Sequence, residues 1–207
     1  MKAMKKITVR FIAAALLGLS LSACAPLIIG GAAGTVLVAT DRRTAGTQLE
    51  DEGIELRSKS NIRDQLGTRV RVNVTSYNRV TLLTGEVANA ADKQAAERIV
   101  ANVQNVRSVV NELAVLSTPS LWDRSNDLLI TGKVKAAFID KGVLISAVKV
   151  VTERSVVYLM GRVTARESEQ ATDAARSVSG VQRVVRMFEL VSQQELDRQQ
   201  QVAAPKS

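Results

Sequence analysis

In Val148-Lys149-Val150-Val151-Thr152-Glu153-Arg154-Ser155-Val156-Val157-Tyr158-Leu159-Met160-Gly161, two apolar runs flank a polar break. Val148-Lys149-Val150 alternates at the period of a strand, and Val156 to Met160 is a more continuous apolar run. Two such runs across a polar turn predict a β-hairpin. Gly161 is expected to end the second strand where the chain bends toward a helix. Upstream, Ile130, Val134, Ala137 and Phe138 recur at helical spacing. Downstream, Glu167 to Ser179 places Ala171, Ala174, Ala175 and Val178 on one side of a second helix. Gly180 is expected to stop that helix in a left-handed conformation, and Val181 to Val191 reads as a last strand.

The same order occurs twice. Shifted by 76 residues, Asp51, Ile54 and Ile62 fall on Asp127, Ile130 and Phe138. Val72, Val74, Val80, Leu82, Gly85 and Val87 fall on Val148, Val150, Val156, Tyr158, Gly161 and Val163. After one deletion, Val103, Val106 and Val109 meet Val178, Val181 and Val184. The first hairpin is expected at Val70 to Val74 and Val80 to Thr84, its second helix at Ala90 to Val103, and its last strand at Val106 to Val115. Asn105 takes the place of Gly180, since Asn tolerates the left-handed region. Each unit is therefore α+β, in the order α-β-β-α-β. The strand-helix-strand crossover sets two strands parallel and the hairpin sets two antiparallel. Two helices should cover one face of a three-stranded mixed β-sheet. Such internal repetition defines the architecture before any single element does.

The chain of 207 residues carries 28 Lys plus Arg against 20 Asp plus Glu, and no histidine. Lacking histidine, it has no Ser-His-Asp or Cys-His site and no commonest metal ligand. No cofactor, no metal and no enzymatic role is expected. Aromatics make up 3% of the chain, which argues against base-stacking modules and for no nucleic acid partner.

The start of the chain places this fold in a compartment. Lys2, Lys5, Lys6 and Arg10 precede the apolar run Phe11 to Leu21, which ends Leu21-Ser22-Ala23-Cys24. A basic start, a short apolar core and small residues make a secretory signal. The run is too short to span a bilayer, which needs about 20 residues. Leu21-Ser22-Ala23-Cys24 resembles the lipobox of bacterial lipoproteins. That resemblance implies that Cys24 becomes the first mature residue and carries acyl chains. Cys24 is the only cysteine, so no disulfide can form within the chain. Ala25, rather than Asp, follows it; in Gram-negative lipoproteins this implies release to the outer membrane, facing the periplasm. Without the four leader cations the balance is 24 against 20, a modest +4 that suits an anionic surface.

Each repeat resembles the BON domain, with an early Asp-x-x-Ile (Asp51 to Ile54, Asp127 to Ile130), valine-rich strands and a glycine after the second strand. Val178-Ser179-Gly180-Val181 carries the Val-x-Gly-Val before the last strand. Behind a lipobox, two tandem BON domains resemble the dual BON-domain bacterial lipoproteins of Gram-negative envelopes. Asp41-Arg42-Arg43 with Gly46-Thr47-Gln48 adds to the likeness. The expected division is 1–23 signal peptide, 24–46 lipidated tether, 47–116 first BON domain, 117–123 linker, 124–192 second BON domain and 193–207 flexible tail. Within the tail, Gln193 to Gln201 reads as a short helical extension. The family implies binding of anionic phospholipids such as phosphatidylglycerol and cardiolipin, support of envelope integrity, and no catalysis. The alternative is a lipid-anchored adaptor that docks envelope or division proteins.

The units differ in their first helices. With Ile130, Val134, Ala137 and Phe138 facing the core, Leu128, Gly132 and Lys135 point away from it and Leu129, Lys133 and Ala136 lie on a flank. Apolar residues rimmed by lysine suit a membrane interface. In the first unit, Glu52 and Glu55 replace Leu128 and Thr131, and Glu55 would repel anionic headgroups. The expected lipid-binding residues are therefore Leu128, Leu129, Gly132, Lys133, Lys135 and Ala136. A second role fits the leucines equally: packing against the first unit or the linker. Trp122, the only tryptophan, has two roles open to it in the expected linker: pinning the domains together, or anchoring at the interface. Leu27 to Thr40, apolar and glycine-rich, either lies against the membrane or serves as a tether.

Overall fold

The computed structural model describes residues 41–116 and 121–203. The leader, Cys24, the tether up to Thr40, linker residues 117–120 and residues 204–207 lie outside the described residues, as does the side chain of Trp122. The elements run α1 (Ala45–Leu66), β1 (Val70–Tyr77), β2 (Val80–Val87), α2 (Ala90–Ala101), β3 (Ser108–Asn111) and β4 (Ala114–Val115). They continue α3 (Leu121–Asp140), β5 (Val148–Glu153), β6 (Val156–Val163), α4 (Ala165–Arg176), β7 (Arg183–Leu190) and α5 (Gln193–Ala203).

In each unit the hairpin is antiparallel and the crossover strand parallel, as expected. Tyr77 pairs with Val80 across β1 and β2, and Glu153 with Val156 across β5 and β6, so each turn holds only two residues. β3 and β4 add to β2 in parallel, and β7 adds to β6 in parallel. The last strand of the first unit is broken: Leu113, 2% exposed, dips into the core between β3 and β4. Helix starts follow from side-chain caps. Thr44 Oγ1 accepts from the Thr47 amide at α1, Asn89 from Asp92 at α2, and Thr164 forms a reciprocal capping box with Glu167 at α4. Asn105 and Gly180 both have positive φ, 68° and 97°, in the turns that follow α2 and α4.

One expectation is corrected. Gly161 does not end its strand: it sits inside β6, opposite Val148, and Gly85 sits inside β2 opposite Val72. These positions are small because the partner backbone is close; a Cβ at Gly161 would lie 2.3 Å from the Ala147 carbonyl oxygen. Trp122, in the expected linker, falls in the first turn of α3, which begins at Leu121.

The sheets are buried on both faces. Leu83 and Val87 of β2 pack under α1 and α2 with Ile62, Leu66, Ala96 and Val100. Val157, Leu159 and Val163 of β6 pack under α3 and α4 with Ile130, Val134, Phe138 and Ala171. The alternate residues form a third cluster of Tyr77, Leu82, Tyr158 and Met160, flanked by Val110, Val151, Val156, Val185 and Met187. The two sheets thus meet back to back. This double burial explains the continuous apolar run of β6, which a one-sided sheet would not carry.

Polar ties close the rim of this seam. Arg71 bridges Glu86 at 2.8 Å and Glu153 at 2.9 Å. Lys149 reaches Glu55 at 3.2 Å, Arg183 reaches Glu112 at 2.9 Å, and Asn78 donates to Glu189. Arg42, just ahead of α1, crosses to the second unit. It donates to the Arg162 carbonyl at 2.9 Å and to both Glu167 oxygens at 2.8 and 2.7 Å. The bidentate Arg42 guanidinium, with the Thr164 amide and hydroxyl, holds the Glu167 carboxyl down at about 2. The stabilisation from Glu167 is therefore complete above its ordinary 4.5 and is lost as pH falls from there toward about 2. Allowing for solvent at this half-buried site, it amounts to about 1–2 kcal/mol. Glu167→Gln should lower the thermal midpoint at pH 7 but flatten its fall between pH 5 and 2. An unchanged acid slope would show that the carboxylate holds nothing. The compact unit Val38–Ser207 contains all three apolar clusters and every tie named here, so it is a self-contained folded body.

Candidate lipid interface

Helix α3 divides cleanly. Ile130, Val134 and Phe138 are fully buried and Asp127 nearly so. Opposite them, Leu128 is 75% exposed and Leu129 64% exposed, with Gly132, Lys133, Lys135 and Ala136 also exposed. The leucines therefore do not pack against the first unit. All six residues expected to form the site lie on the open side of one helix. Ile139, 67% exposed, extends the stripe by another turn. Sequence reasoning missed it, although at about 100° per residue it falls some 20° from Leu128. Among the described residues, no carboxylate forms an ion pair with Lys133 or Lys135, so both charges face solvent unspent.

Gly132 has no packing reason to be glycine. Nothing lies within 4 Å of a Cβ built there, and glycine costs an exposed helix about 1 kcal/mol relative to alanine. Its effect is to keep the stripe flat between Leu128 and Ala136.

The matching helix α1 also exposes leucines, Leu49 and Leu56 at 69% each. Its lysine and one of its arginines, however, are paired with acids of the same helix: Arg57 meets Glu50 at 2.8 Å and Lys59 meets Glu55 at 3.5 Å. The first unit shows apolar surface inside a neutralised, acid-containing frame, and the second shows it beside free lysines. The distinction read from Glu52 and Glu55 thus has a structural counterpart.

What orients α3 is Asp127. Its carboxylate accepts the Arg154 amide at 2.7 Å and the Ser155 amide at 2.8 Å, and Asn126 donates to the Ser155 hydroxyl at 3.2 Å. Arg154 and Ser155 have φ of 53° and 60°, a type I′ turn without glycine. In the first unit, Asp51 serves Asn78 and Arg79, with φ of 49° and 67°, in the same way. The repeated Asp is thus the acceptor that locks each hairpin tip onto the first helix. This role was not read from sequence. The signal was present: an acid repeated beside two short turns that both lack glycine.

Among the described residues, no group of three or more His, Cys, Asp or Glu could hold a metal ion, and no helix is long and apolar enough to cross a membrane.

Comparison with known proteins bears on both units. A family model described as the BON domain matches residues 50–117 and again 126–192. The chain is 38% identical over 171 residues to the outer membrane lipoprotein DolP of Haemophilus influenzae, covering 81% of this chain and 89% of that protein. It is 31% identical to a 21 kDa hemolysin of Actinobacillus pleuropneumoniae, over 73% of this chain and 79% of the relative. It is 28% identical to the osmotically-inducible protein Y of Escherichia coli, over 67% of this chain and 72% of the relative.

Proposed function

Because the chain belongs to the BON-domain family, as a dual-domain lipoprotein of the DolP type, we propose that it binds anionic phospholipid bilayers through α3 and supports the integrity of the envelope. Acylated Cys24 would anchor it in the outer membrane, facing the periplasm. The observation that carries this reading is the exposed stripe Leu128, Leu129 and Ile139, on a helix whose other face is wholly buried. The leucines and Ile139 enter the acyl boundary while Lys133 and Lys135 meet phosphates, each charge contributing about 1 kcal/mol near an anionic surface. The relative from Haemophilus is named for the outer membrane, which agrees with this placement. The adaptor reading, in which the anchor only localises a protein-docking module, is the outcome if the helix ignores lipid.

The test uses the chain from Val38 onward, so that no acyl group attaches it to the bilayer. Lys133→Glu with Lys135→Glu should weaken binding to phosphatidylglycerol or cardiolipin vesicles by roughly two orders of magnitude, since two attractions become repulsions. Unfolding midpoints should stay level, both side chains being exposed. Unchanged vesicle binding in the double variant would sink the reading.

A further inference from the structure

The hairpin tip beside α3 carries an arginine where a neutral turn former would be easier. Two-residue turns of this type favour Asn-Gly or Asp-Gly, because both residues take positive φ. Arg154 takes φ of 53° there, its side chain exposed, and among the described residues no carboxylate forms an ion pair with it. An exposed side chain in a sparsely populated backbone region costs stability and contributes no internal contact in return.

The first unit places Arg79 at its own turn, also with positive φ. There the charge is answered. Glu50 on α1 is held below its ordinary value by Asn105, then Arg57, with the field of Arg79 adding to both. The residue that matches Glu50 in the second unit is Asn126. The acid has become an amide, and that amide holds the Ser155 hydroxyl instead. By the same 76-residue shift Arg79 matches Ser155, so Asn126 and Ser155 replace the Glu50–Arg79 charge pair. Arg154, which matches Asn78, is a cation added at the other turn position with no matching carboxylate on α3.

Position completes the argument. The Arg154 amide is bonded to Asp127, and Thr131 Oγ1 donates to Thr152 Oγ1 at 2.7 Å, so the end of the hairpin lies against residues 126 to 131 of α3. That segment brackets Leu128 and Leu129. We infer that Arg154 is a lipid-phosphate contact, a basic residue held by the strained turn at the N-terminal end of the α3 stripe, where it meets the phosphates of the same anionic bilayer. The inference rests on the proposed lipid reading and adds a residue outside the helix to it.

Arg154→Gly separates this role from a structural one, because glycine suits the turn better while removing the charge. With the chain from Val38 onward, the variant should unfold at a temperature a few degrees higher. Its affinity for phosphatidylglycerol vesicles should fall about 3- to 10-fold. Arg63→Gln, which removes an exposed charge from the first unit, should leave that affinity within about 2-fold. Binding to phosphatidylglycerol unchanged in Arg154→Gly, while Lys133→Glu with Lys135→Glu abolishes it, overturns the inference and leaves the helix as the reader. An equal loss in Arg63→Gln overturns it as well, showing that only net charge matters. If the lysine double variant also binds normally, the lipid reading itself fails.

Discussion

Replacing Asp51 by alanine should remove about 3–5 kcal/mol of stability, the cost of stripping a buried carboxylate from a full set of donors. Asp51 is 2% exposed. It accepts from the Ser76 hydroxyl at 2.7 Å, the Asn78 and Arg79 amides at 2.8 Å each, and Arg43 at 2.6 Å. Burial pushes its carboxyl up, but these donors outweigh burial and hold it below its ordinary value. Alanine leaves two turn amides and a hydroxyl without their acceptor. It also leaves Arg43, which stacks 4.2 Å from the centre of the Tyr77 ring, with Asp41 as its remaining carboxylate partner. A loss of that size is a large part of the 5–15 kcal/mol that holds a typical domain. Asp51→Asn should cost less, because it keeps an acceptor for the turn while losing the charge. Asp127→Ala should cost roughly half as much, two amides being at stake rather than four donors. Denaturant unfolding with an unchanged slope would measure all three. A loss under about 1 kcal/mol for Asp51→Ala would show that the turn supports itself.

Gly85→Ala should cost about 3 kcal/mol or more, from a different cause. Its Cβ would lie 2.1 Å from the Arg71 carbonyl oxygen, an atom of the neighbouring strand that cannot turn aside. Its φ of 113° adds a conformation that alanine resists. Gly161→Ala meets a comparable backbone contact at 2.3 Å without the positive φ, so it should cost somewhat less. The order of the two separates crowding from conformation. Equal losses would assign the whole effect to crowding, and a loss below about 1 kcal/mol at both would mean that the strands part easily. The same methyl group at Gly132 meets nothing, so packing explains the glycines at 85 and 161 but not the one at 132.

Much of this architecture was legible before any coordinates. The repeat, the strand order and the hairpin positions follow from spacing and alternation, which are local properties. The orientation of α3 followed from its wheel, because helical geometry fixes which residues share a face. What stayed hidden depends on distances between segments far apart in sequence. The roles of Gly85 and Gly161 depend on how near a partner backbone runs. The acceptor role of Asp51 depends on a turn 27 residues away. The seam depends on two sheets meeting, although the unbroken apolar character of Val156 to Met160 hinted that β6 had two faces to bury.

The seam joins like to like. Leu82 and Tyr158, which face each other's units there, occupy the same place in the two repeats, as do Val110 and Val185. In symmetry terms this is an isologous dimer whose partners have been made covalent. A true homodimer must change both halves at once, since every substitution appears twice. A tandem copy is released from that rule. One half can set paired acids on its first helix while the other sets lysines in the same place, and the shared interface goes on holding the two together.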